Sequence, residues 1–144
     1  MQTVVTVLSV NNGKIDLSEQ LPDAHVVQFR EPKWLDERFR KLNMSAKPWM
    51  PVFFGQVRRW IKHQVAAGKV WDIAHQVLPQ AMRYASPLRG LGLPYVVGPL
   101  GGSLETPSGF LGEVESGGVL TRLRNLDRWR LRNDPRLRYG YEDA

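Results

Sequence analysis

Cysteine is absent from the chain, which excludes disulfides and thiolate metal sites outright. Histidine is scarce. His25, His63 and His75 stand without the spacing of a ligand set, so no structural zinc site is expected. Long apolar runs are also missing, and no stretch approaches the ~18 residues of a membrane span. The N-terminal residues lack the basic start and unbroken apolar stretch of a secretory signal, because Asn11, Asn12 and Lys14 interrupt them. These absences lead to the expectation of a cytoplasmic protein. With 144 residues, 42% hydrophobic and 24% charged, the chain suits one globular domain or a large part of one.

Acidic residues are the minority, and the net charge of +6 is unevenly spread. Arg122, Arg124, Arg128, Arg130, Arg132, Arg136 and Arg138 face only Asp127 and Asp134 between Thr121 and Tyr139, a segment charge of +5. Such a run suits an anionic surface, lipid or nucleic acid, and equally a solvated helix face. No RNA-binding aromatic signature, zinc finger or basic zipper accompanies it, which argues against nucleic acid. Arg128 and Arg132 are the candidate anionic-surface contacts.

The β-branched run Thr3 to Val10 predicts a strand closed by a turn at Asn11-Asn12-Gly13, and His25 to Phe29 predicts a second. Pro32 to Pro51, with Trp34 and Trp49, reads as an ordered loop with a helical turn near Leu35 to Leu42. Val52 to Ala67 predicts a helix that packs Phe53, Val57, Trp60, Ile61 and Val65 on a sheet. Pro51 lies in its first turn and Gly68 stops it. Val70 to His75 predicts a short strand. Ser86 and Pro87 open a short helix to Leu91, and Leu93 to Val97 follows as a strand. Strand, helix and strand in so short a span form a βαβ unit, so the two strands should be parallel with a right-handed crossover. Val119 to Asn133 predicts a further helix, and Asp134-Pro135 starts another that runs to the last residues.

The most informative stretch is Leu93-Pro94-Tyr95-Val96-Val97-Gly98-Pro99-Leu100-Gly101-Gly102-Ser103-Leu104-Glu105-Thr106-Pro107. An apolar strand runs into a loop of three glycines and a proline, where backbone N–H groups can approach a polar ligand closely. A Gly-Gly pair equally serves a turn alone. In the βαβ unit, His75 and this loop fall together at the C-terminal edge of the sheet, where open α/β folds bind ligands. A histidine at a strand end also commonly serves packing.

An ordered series carries a resemblance. It comprises Trp71-Asp72-Ile73-Ala74-His75, Ser86-Pro87-Leu88, Leu91-Gly92-Leu93-Pro94, Gly98-Pro99-Leu100-Gly101-Gly102, Thr106-Pro107, Asp134-Pro135 and Glu142-Asp143-Ala144. Over most of residues 25 to 144 the chain resembles family 4 of the retaining glycosyltransferases, in particular the group-1 bacterial enzymes. Gln28-Phe29-Arg30-Glu31-Pro32 and the Trp60 helix fit more loosely. Three features depart from the pattern. The family's first strand and glycine-rich loop are not recognisable, His75-Gln76 stands where relatives commonly pair two histidines, and the sequence ends before the strand that follows the Glu142-Asp143-Ala144 step.

The resemblance implies an α/β fold: an incomplete Rossmann-like N-terminal, acceptor-side domain of GT-B architecture over residues 1–144, with a mostly parallel sheet and flanking helices. It implies transfer of a sugar from a nucleotide-sugar donor to a glycan or lipid-linked acceptor, with no protein-bound metal or cofactor. The donor would be held by a C-terminal domain, in cis or trans, that this segment does not include, so the segment alone is expected to be inactive; without the family's first strand it is also expected to be marginally stable or to self-associate. His75, Gly98, Pro99, Gly101 and Gly102 are the substrate-binding candidates, and peripheral contact with the inner face of the membrane is expected. Two alternatives remain at this point: a non-catalytic, partner-dependent sugar-binding half-domain, and a basic membrane- or nucleic-acid-binding protein.

Overall fold

In the computed structural model of the chain, the described residues are 3–11, 13, 16–30, 49–79, 83–100, 126 and 129–144. They form an α/β arrangement with helices and two separate two-stranded parallel sheets. The chain divides into two compact units, Met1–Trp60 and Ile61–Ala144.

In the first unit, β1 (Val5–Asn11) runs parallel to β2 (Ala24–Arg30), with Val5 opposite Ala24 and Asn11 opposite Arg30. The turn expected after β1 is built by Asn11, whose Oδ1 accepts a hydrogen bond from the Gly13 N–H at 2.7 Å. Gly13 adopts φ +73°, a left-handed conformation that suits glycine. The connection also contains α1 (Leu17–Gln20), one turn that the sequence reading missed, capped by Asp16 Oδ1 on the Ser18 N–H at 2.9 Å.

The long helix α2 spans Met50–Ala66, close to the expected 52–67. Its buried positions are Met50, Phe54, Val57 and Ile61, an i, i+4, i+7, i+11 stripe. The expected face is therefore corrected. Val57 and Ile61 hold, but Phe54 replaces Phe53 at the centre and Val65 is 41% exposed. Phe53 lies at the margin of the stripe, half-buried, where its ring meets Phe29 edge-on at 5.9 Å and neighbours Trp49 and Phe54. Gly68 ends the helix as anticipated, at φ +84°. Its N–H donates to the Val65 carbonyl and the Lys69 N–H to that of Gln64, the paired bonds of a Schellman motif.

In the second unit, β3 (Ala74–Gln76) pairs in parallel with β4 (Tyr95–Val97). Both strands are shorter than expected, and the ladder shows why. The Gly98 N–H donates to the Gln76 carbonyl. Two steps back along the same row of donors stands Pro94, which has no N–H to offer. The expected helix from Pro87 to Leu91 is instead a turn at residues 87–90. Ser86 does act as the anticipated cap, its Oγ accepting from the Leu88 N–H at 3.2 Å. Gly90 and Gly92, at φ +65° and +69°, leave no room for a second helical turn.

Leu126 and residues 129–133 are helical, the described part of the expected 119–133 helix. Helix α3 (Pro135–Glu142) follows after the break foreseen at Asp134-Pro135. Asp134 Oδ1 accepts from the Arg136 and Leu137 N–H groups at 3.0 and 3.3 Å. The helix does not run off the end of the sequence, since the Asp143 N–H closes it on the Tyr139 carbonyl. Leu88, Tyr95 and Leu137 form the buried apolar residues around this helix, with Leu137 only 1% exposed. Tyr95 Oη donates to the Gly140 carbonyl at 3.1 Å and Tyr141 Oη to that of Tyr84 at 2.9 Å. Gly140 packs against the backbone of Ala85 and Ser86, where an added Cβ would stand 3.1 Å from the Ser86 nitrogen.

Candidate functional site

Alternation along β3 and β4 divides the second sheet into two unlike faces. Tyr95 and Gln76 are buried on one face, beside Ala74 and Val97. His75 and its register partner Val96 share the other face, and both are exposed. Ile73 and Val77, which flank β3, are exposed apolar residues as well. The site is an imidazole set among aliphatic side chains at the C-terminal end of a parallel strand pair.

The His75 ring is held by the next loop. Its Nε2 lies 2.9 Å from the Gly98 carbonyl oxygen. A carbonyl can only accept, so Nε2 carries the proton in this bond, and in the neutral ring Nδ1 is left as an acceptor. Gly98 is fixed in turn by its N–H on the Gln76 carbonyl at 3.0 Å. It adopts φ +156° before the cis Gly98–Pro99 bond, and among the described residues an added Cβ would meet only the Leu100 nitrogen at 3.8 Å. His75, Gly98 and Pro99 are thus brought together at one edge by the parallel pairing of β3 and β4, without the helix that the βαβ reading expected between them. Gly101, Gly102 and Arg128 lie outside the described residues, as do residues 31–48, which hold most of the expected Pro32 to Pro51 loop. Arg132 is exposed in the second unit, on the helical segment 129–133 rather than on the sheet.

Gln76 was not singled out by sequence reasoning. It is 92% buried, taking its 8% exposure from unity. Its Nε2 donates to the Leu78 carbonyl at 3.1 Å, while Oε1 is buried with no hydrogen-bond partner. Exchanging the amide's O and N would oppose two carbonyl oxygens, so the orientation stands and the unpaired atom is an acceptor. The signal available in sequence was the alternation itself: if His75 faces out, its neighbour faces in.

The acidity of Tyr95 is perturbed. Burial raises its phenol above the ordinary 10.0, the Asp143 carboxylate raises it further, and Arg89 opposes both. This hydroxyl faces the core helix, so it belongs to the scaffold. Among the described residues no three His, Asp or Glu side chains come close enough to hold a metal ion. None of their helices is long and apolar enough to cross a membrane. No protein-family description, curated protein or solved structure matches the chain.

Proposed function

We propose that the chain is the acceptor-side part of a retaining glycosyltransferase of Rossmann-like, GT-B architecture. The observation that carries this reading is the meeting of His75 and Gly98 at the C-terminal edge of a parallel strand pair, with the ring locked through Nε2. That lock leaves Nδ1 to receive a hydroxyl proton from a neutral sugar. The exposed Val96, Ile73 and Val77 offer apolar contact to the C–H face of a pyranose beside it. In this reading the edge orients the acceptor, and positioning is its contribution to the reaction. The nucleotide-sugar donor is held by a separate donor domain, in cis or in trans, which supplies the groups that stabilise the departing diphosphate.

Saturation-transfer NMR on the whole chain with neutral oligosaccharides tests the acceptor role. His75→Ala is expected to weaken binding about tenfold, the upper range for one neutral hydrogen bond. His75→Gln keeps a donor for the Gly98 carbonyl and an acceptor for the ligand, and is expected to recover most of the affinity. Equal saturation transfer to the oligosaccharide from the parent chain and from His75→Ala would sink the acceptor role.

A further inference from the structure

The parallel pair of the first unit has a C-terminal end of its own, and one face of that end is polar. Phe29, with Phe53 of α2 against its ring, lies on the opposite face. Asn11 and Arg30 are register partners at the strand ends, and Gln28 stands two positions before Arg30 on the same face. Asn11 Nδ2 donates to Gln28 Oε1 across the strands at 3.0 Å. Both amides are oriented from the backbone outward. The Gly13 N–H can only donate, so the Asn11 atom that meets it at 2.7 Å is Oδ1. The Asn11 nitrogen therefore turns to Gln28, and the Gln28 atom that receives it is Oε1. This leaves the Gln28 Nε2 hydrogens with no acceptor among the described residues. Arg30 is exposed and has no ion-pair partner among them. With both amide oxygens engaged, what these residues still offer is a charged guanidinium fork and amide N–H groups. All are donors.

We infer that this strand end binds a compact oxyanion, the carboxylate or phosphate group of a small ligand. An oxyanion brings acceptors only. It can meet the guanidinium of Arg30 in two parallel bonds and take a further N–H from Gln28, and its charge makes each of these bonds stronger. A neutral hydroxyl leaves the arginine charge uncompensated and gains less from the same donors. Open α/β sheets receive ligands beyond the carboxyl ends of their strands, which is where Asn11 and Arg30 stand. Asn11 acts here as a positioning residue, because its bond to Gln28 turns the Gln28 Nε2 outward. The inference concerns the first unit alone and is independent of the sugar-binding reading at His75.

The test is a titration of the ¹⁵N-labelled whole chain with sodium phosphate or sodium acetate, against sodium chloride at matched ionic strength and pH. The side-chain amide signals of Asn11 and Gln28 are followed by NMR. Saturable shifts of the Gln28 signal are expected with phosphate, acetate or both, and the tighter of the two identifies the ligand's group. Arg30→Gln should weaken binding about tenfold, the lower end for a hydrogen bond to a charged group. Gln28→Glu keeps an oxygen for the Asn11 amide but replaces the outward donor by a negative charge, so it should weaken binding by at least about tenfold. An unchanged backbone amide spectrum will show that each variant folds. The inference is overturned if neither oxyanion gives saturable shifts, or if chloride gives the same ones. It is also overturned if Gln28→Glu binds as tightly as the parent, since the bond to Asn11 would then be the whole role of this side chain.

Discussion

Two helical glycines in this chain call for opposite predictions. Gly55 lies within α2 with nothing inside 4 Å of an added Cβ among the described residues. Alanine there should stabilise the protein by about 1 kcal/mol, the usual difference in helix propensity. Gly140 lies within α3, and its added Cβ would stand 3.1 Å from the nitrogen of the buried Ser86. That backbone is held by the Ser86 cap on Leu88 and cannot easily retreat. Gly140→Ala should therefore lose more to the clash than it gains in propensity, a net destabilisation of about 1–2 kcal/mol. Thermal or urea melts of the two variants read both signs directly. Both substitutions look alike in sequence, since what separates them is a contact with residues more than fifty positions away.

Caps and ladders make the same point one level up. Asp134 accepts two backbone N–H groups at the start of α3, the helix that carries Leu137, Gly140 and Tyr141 into the second unit. Asp134→Ala should lower stability by about 1 kcal/mol, while Asp134→Asn, an equally good cap, should stay near the parent in the same melts. That cap was legible because Asp-Pro is a local signal, as were the Asn11-Gly13 turn and the Gly68 stop. The inward face of α2 was only partly legible. Phe53, Phe54, Val57 and Val65 are all apolar, and the choice between Phe53 and Phe54 depends on neighbours that periodicity does not name. The strands at 70–75 and 93–97 were overextended because β-propensity is read per residue, whereas a ladder needs a donor at each step and Pro94 removes one. At the candidate site, the meeting of His75 with Gly98 followed from strand order. The bond that fixes the imidazole and the unpaired Gln76 Oε1 depend on side-chain geometry, which no pattern carries.

At the scale of the whole molecule, the second sheet is covered on its Tyr95 face, while the His75 face keeps apolar side chains in water. Parallel sheets are usually covered on both faces, which makes the open one a natural place for a ligand. The covered face has its own pH dependence. The Tyr95 phenol is held above its ordinary 10.0, so the folded state keeps a proton that the unfolded chain releases first. This contribution is fully present below 10.0 and is lost as pH climbs from there through the raised folded value. Urea melts at increasing alkalinity should show that loss. Tyr95→Phe should remove this component and be less stable at neutral pH by about 1–3 kcal/mol, since the Gly140 carbonyl would lose its partner.

The ties between α3 and the earlier chain join residues 45, 54 and 57 positions apart. The residues they secure, Tyr84 and Arg89 between the strands and Tyr95 in β4, are made well before residues 135–142. On the ribosome, then, β3 and β4 emerge with their inner face bare and must wait for a helix still to be translated. Contacts of such sequence separation form slowly, and surface left open meanwhile invites wrong partners. The nascent chain would be most in need of a chaperone in that interval, and completion of α3 would release it.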